Sequence, residues 1–160
     1  MTTKHSRATL VVVDAQPIEF KAARHPLFQQ SLVGLVQNAI ALGWDILVLE
    51  YSGAGNTLSE VTALLSQYAQ TQTIEKETDG GGEEVWLGLA ENGFAYGQVF
   101  VCGCNTHGCV QDTISELSVL LPDSKIAVVK PGCNDDRGNT WSRFSCPANV
   151  ELVDSLSAAA

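Results

Sequence analysis

QVFVCGCNTHGCVQDT, residues 98–113, decides the fold. Residues 98–101 form a short run of β-branched and aromatic side chains, which reads as a strand. Gly103, Asn105 and Gly108 then supply a turn. Val110, Ile114, Leu117 and Leu121 follow at helical spacing. The next strand-like run, residues 125–129, completes a strand–helix–strand unit. Reading back toward the N-terminus, the same alternation recurs. Strand-like runs stand at residues 9–13, 46–49 and 71–74. Helical patterns lie between them, carried by Leu32, Leu35, Val36, Ala39 and Ile40, by Leu58, Val61, Leu64 and Leu65, and by Val85, Leu87 and Leu89. The runs at residues 9–13 and 46–49 and the core of that at 98–101 are continuously apolar instead of alternating, which is the mark of strands covered on both faces. The pattern predicts an α/β fold of three α/β/α layers, doubly wound and Rossmann-like, around a mainly parallel sheet. Residues 148–156 are expected to close the chain as a short helix.

The 160 residues suit one domain, 1–160, with enough chain to bury roughly 70% of the unfolded surface. A hydrophobic fraction of 45% and a charged fraction of 17% are globular values and exclude a disordered chain. No apolar run reaches the ~18 residues of a membrane span, and the N-terminus has no small-residue cleavage site. The net charge of −9 argues against nucleic acid and anionic membrane as partners. Cys102, Cys104, Cys109, Cys133 and Cys146 make an odd, clustered set without an export signal. That predicts reduced thiols and a cytoplasmic location.

In a doubly wound sheet, ligands bind beyond the C-terminal strand ends. Asp14 and Gln16 follow the first run, Glu50 and Tyr51 the second, Lys76 the third and Cys109 the fourth. Cys109 falls at the expected start of a helix, where free N–H groups and the positive helix end favour a thiolate. A buried, inert filler is the competing reading, and it is the better one for Cys102, Cys133 and Cys146. Asp14 is a turn residue or a general base. Lys76 is a surface charge or a fixed cation between Asp14 and Cys109. His107 lies two residues before Cys109, a spacing that does not make helical side chains face each other.

These residues resemble the isochorismatase-like cysteine hydrolase superfamily. The Gly-x-x-Thr-x-x-Cys-Val pattern at Gly103, Thr106, Cys109 and Val110 carries the resemblance, with the Asp-x-Gln pair at Asp14 and Gln16. The resemblance implies a catalytic triad of Asp14, Lys76 and Cys109, converging from three strand ends. It implies a cis peptide at Cys104–Asn105 and an oxyanion hole from the backbone N–H groups of Asn105 and Cys109. Gln16, Phe20, Tyr51 and Trp86 become candidates for the substrate pocket. The metal-binding nicotinamidases of this superfamily carry an Asp-x-His pair after the second strand, where this chain has Glu50-Tyr51-Ser52. No metal and no cofactor are therefore expected. The implied activity is hydrolysis of a C–N bond in a small-molecule amide or carbamoyl compound through a thioester, in a homo-oligomer. A non-catalytic or thiol redox-sensing module is the alternative.

Overall fold

The computed structural model describes residues 7–156. Six strands form one all-parallel sheet: β1 (Thr9–Val13), β2 (Asp45–Tyr51), β3 (Thr71–Lys76), β4 (Gln98–Cys104), β5 (Lys125–Asn134) and β6 (Val150–Val153), in the order β3-β2-β1-β4-β5-β6. Helices α1 (Pro26–Ala41) and α2 (Ser59–Leu65) pack together on one face, and α3 (Gly82–Asn92) and α4 (Gln111–Leu120) on the other. The doubly wound, three-layer architecture follows directly from the apolar runs. β1 and β4 are buried along their whole length, as strands covered on both faces must be. α1 starts on Pro26, whose fixed φ suits a first helical turn. It buries Phe28, Leu32, Val36 and Ala39 at spacings of three and four.

Two expectations need correction. Residues 148–156 form no helix. Val150–Val153 add a parallel edge strand to β5, pairing Ile126 with Val150 and Val129 with Val153. Val150 and Val153 suit a strand, and the free edge of β5 offered hydrogen bonds that a short terminal helix would leave unmet. β5 also runs to Asn134, five residues further than the sequence reading, with a register shift against β4 between Val101 and Gly103. Among the described residues, no helix is long and apolar enough to cross a membrane.

The strand order reverses between β1 and β4, and this switch point opens a crevice at their C-terminal ends. Val13 is in register with Leu49 on one side and Gly103 on the other. Gly103 holds φ at 131°, and a Cβ there would collide with the Val13 backbone. Only glycine lets β4 approach β1 this closely just before the turn that carries Cys109.

Candidate active site

Three strand ends build the site. Asp14 comes directly after β1 with a φ of 48°, a left-handed conformation that Asp tolerates better than most residues and that commonly marks a functional turn. Its carboxylate is fully buried. Lys76 ends β3, two strands from β1, so its long side chain must cross the end of β2 to arrive. It is 1% exposed. Its Nζ lies 2.9 Å from Asp14 Oδ2 and 4.7 Å from the centre of the Tyr51 ring. The ammonium also donates to the carbonyl oxygens of Thr78 (2.8 Å) and Asp79 (3.0 Å). Ion pair, carbonyls and aromatic face together replace the water that a buried ammonium has lost.

Cys109 stands across the crevice in a single π-helical turn, Thr106–Val110, and α4 begins only at Gln111. The Cys104–Asn105 peptide just before the turn is cis. The Cys109 thiol faces the Asp14 carboxylate closely enough for each group to shift the other's proton affinity. Neither Asp14 oxygen has a partner of full hydrogen-bond alignment.

The electrostatics reverse one expectation. The helix-start reading favoured a thiolate. Cys109 is instead pushed up to about 12, first by burial, then by the adjoining Asp14 carboxylate and its charge, with Lys76 acting in the opposite direction. A thiol that is 6% exposed and faces a carboxylate keeps its proton. Burial also raises Asp14 above the usual carboxylate range, against the opposing pull of Cys109 and Lys76. The resting site is thus a neutral thiol beside a dry Asp14–Lys76 ion pair.

The expected pocket residues divide. Tyr51 joins the cluster beneath Lys76, and Phe20 meets it edge-on at 6.4 Å between ring centres. Gln16 is buried with its amide engaged: Oε1 accepts from Tyr51 N–H, and Nε2 donates to the carbonyls of Tyr51 and Gly55. It ties the loops after β1 and β2 together and has no free group for a ligand. Trp86 stands apart on α3, 41% exposed, in an outer groove with Val119 and Leu120 of the α3–α4 face. The outward position of its helix face, invisible without the packing, takes it away from the crevice.

The residues present do not fit the metal of the nicotinamidases. Glu50 accepts from both N–H and Oγ1 of Thr57, at 2.8 and 2.7 Å. Among the described residues no group of three His, Cys, Asp or Glu side chains is placed to share an ion.

Sequence reasoning missed the loop after β5. Asp135 Oδ2 accepts from His107 N–H at 2.9 Å, Asp136 N–H donates to Asn105 Oδ1 at 3.0 Å, and the Thr106 hydroxyl bonds Asn139 at 2.6 Å. Asp136 Oδ1 also accepts from Ala22 N–H. This loop clamps the turn that carries Cys109. Its only sequence signal is the polar run Asn134-Asp135-Asp136, which any surface loop could show.

No protein-family model matches the sequence, and no curated protein matches it. Solved structures do match in shape. The nicotinamidase/pyrazinamidase of Bacillus subtilis superposes with a TM-score of 0.74 at 14% identity, covering 92% of this chain and all of that one. N-carbamoylsarcosine amidase from Thermoplasma acidophilum gives 0.67 at 15% identity, over 91% of this chain and 95% of its own. An isochorismatase from Pseudomonas putida gives 0.64 at 18%, over 85% and 77%. The chain therefore has the isochorismatase-like α/β fold. At these identities the likeness is one of fold, and the chemistry has to be argued from the residues.

Proposed function

We propose that this chain is a metal-free cysteine hydrolase that cleaves a C–N bond in a small amide or carbamoyl compound. The observation that supports this most is the buried Asp14 carboxylate, ion-paired to Lys76 at 2.9 Å and set against the Cys109 thiol. Burying three such groups together is costly and has no structural return that an apolar core would not give better.

Cys109 Sγ attacks the substrate carbonyl as its proton passes to Asp14, whose raised affinity suits it to receive one. Charge that develops on the carbonyl oxygen is met by backbone N–H groups at Asn105 and Cys109. The C–N bond breaks, the amine takes the proton from Asp14, and a thioester remains on Cys109. Water then attacks the thioester, gives its proton to Asp14, and the departing sulfur takes it back. Lys76 holds the Asp14 carboxyl group in place through both halves and favours its return to the ionised form. Tyr51 and Phe20 line the approach to the thiol.

The redox-sensing alternative gains no support. Such sensors use accessible, easily ionised thiols, whereas burial pushes up Cys102, Cys104, Cys109 and Cys133 alike. Five free thiols suit work in a reducing compartment, and we place the protein in the cytoplasm on that ground. The exposed Trp86, Leu87, Val119 and Leu120 of the α3–α4 face suit association of copies into a homo-oligomer.

The test is a screen of small amides, ureas and carbamoyl compounds for ammonia or amine release, run beside Cys109→Ala. Turnover that disappears in the variant supports the proposal. Release that is the same in both proteins would refute it.

A further inference from the structure

The turn that carries Cys109 has a second face. The thiol looks toward β1, while His107 and Gln111, two residues before and after it, hydrogen-bond to the loop that follows β5. Between turn and loop lies a cavity of about 340 Å³, walled by His107, Gln111, Asp135, Arg137, Thr140 and Arg143.

The acceptors of this cavity are engaged within the chain. Asp135 Oδ2 accepts from His107 N–H and Oδ1 from Arg137 N–H, at 2.9 and 3.0 Å. Gln111 Oε1 accepts from Ser145 N–H at 2.8 Å. His107 Nε2 accepts from Thr140 N–H at 2.8 Å, which puts the proton of the neutral ring on Nδ1. The donors are left over. Among the described residues, neither the Arg137 nor the Arg143 guanidinium has a hydrogen-bond or ion-pair partner, and the same holds for the Thr140 hydroxyl and His107 Nδ1–H. The chain's other arginines are committed: Arg7 to Asp45, and Arg24 to the carbonyls of Pro17 and Ile18. In a protein of net charge −9, the two arginines without partners share one cavity.

We propose that this cavity binds a small oxyanion, a carboxylate or phosphate group, through Arg137 and Arg143. The reason is the surplus of donors. A guanidinium presents a planar fork that matches two oxygens of one anion, and two forks beside a hydroxyl and an imidazole N–H answer an acceptor-only ligand. An occupant would span the turn and the loop that clamps it, on the side opposite the reactive thiol. This site does not depend on the hydrolase reading, and its test needs no turnover.

Calorimetric titration of the full chain, in both native and Cys109→Ala form, tests it at ionic strength fixed with chloride. Inorganic phosphate and malonate serve as probes. One saturable site per chain for either probe is expected, in both proteins. Phosphate alone would indicate a phosphate ligand, malonate alone a carboxylate. Arg137→Ala with Arg143→Ala should weaken binding by about tenfold or more, the loss expected for removed charged hydrogen bonds. Lys125→Ala, which removes an exposed cation at the start of β5, should leave it within about twofold. Should the double alanine variant misfold, Arg137→Lys with Arg143→Lys keeps the charge and loses the fork, and the affinity should still fall. No saturation up to about 10 mM, beyond the range of weak specific binding, or affinity that the arginine variants leave unchanged, would overturn the proposal.

Discussion

The inner and outer faces of the Thr106–Val110 turn handle charge in opposite ways. Inside, Asp14 and Lys76 are fully buried, and each is compensated by the other, by carbonyls and by an aromatic ring. Outside, Arg137 and Arg143 are exposed and uncompensated among the described residues. Water solvates the outer pair at little cost. The inner pair has no such recourse, so the fold must supply its partners. The contrast teaches where a charge is bound to the architecture and where it is free for a ligand.

The largest expected effect breaks the inner pair. Lys76→Met leaves Asp14 buried without its cation, and loss of one partner of a buried pair costs about 3–5 kcal/mol. Urea unfolding should show it as a large drop in midpoint, and a drop under about 1 kcal/mol would mean the pair behaves like a surface contact.

Asp14→Asn sharpens the comparison chemically. It removes the carboxylate charge that helps push up Cys109 and leaves the Lys76 cation, which acts the other way. Hydrolysis should be lost while iodoacetamide labels Cys109 at pH 7 faster, by about tenfold for each unit that the thiol comes down. In the unchanged protein Cys146, the exposed cysteine, should label first, contrary to the helix-start expectation for Cys109. Slower labelling of Cys109 in Asp14→Asn would show that the carboxylate activates the thiol at rest.

Alkaline stability gives a smaller, graded effect. Cys109 and Cys133 are both raised from 9.0 to about 12 in the folded chain. Between those values the folded state holds protons that the unfolded state has released, so stability is present below 9 and is lost as pH rises toward 12. The folded-to-unfolded ratio should fall about tenfold per pH unit for each such thiol. Cys133→Ala should make the decline shallower, and an equal slope would exclude Cys133 from it.

The smallest effect belongs to the outer face. Arg137→Ala and Arg143→Ala should each leave unfolding stability within about 0.5 kcal/mol, as for surface side chains without partners. A loss several times larger would show that the loop after β5 depends on them.

Much of the fold was legible in residue order. Continuous apolar runs at residues 9–13, 46–49 and 98–101 can be buried on both faces only in a covered parallel sheet, so the layers followed. The pattern at Gly103, Thr106 and Cys109 marked the turn, because only glycine tolerates the approach to Val13. Local periodicity did not show β6, since Val150–Val153 is a strand by virtue of the β5 edge beside it. It did not show how Trp86 faces or that the Gln16 amide is engaged, because both depend on which element packs opposite.

The sequence by itself determined the alternation of elements and the residue types at the strand ends: an acid after β1, a lysine at the end of β3, a thiol after β4. These are properties of neighbouring residues. Tertiary structure alone decided their state. Strand order brought Lys76 across β2 to within 2.9 Å of Asp14, and burial turned the expected thiolate of Cys109 into a neutral thiol. A pKa responds to desolvation and to charges a few ångströms away, and neither is fixed until distant segments of the chain have packed together.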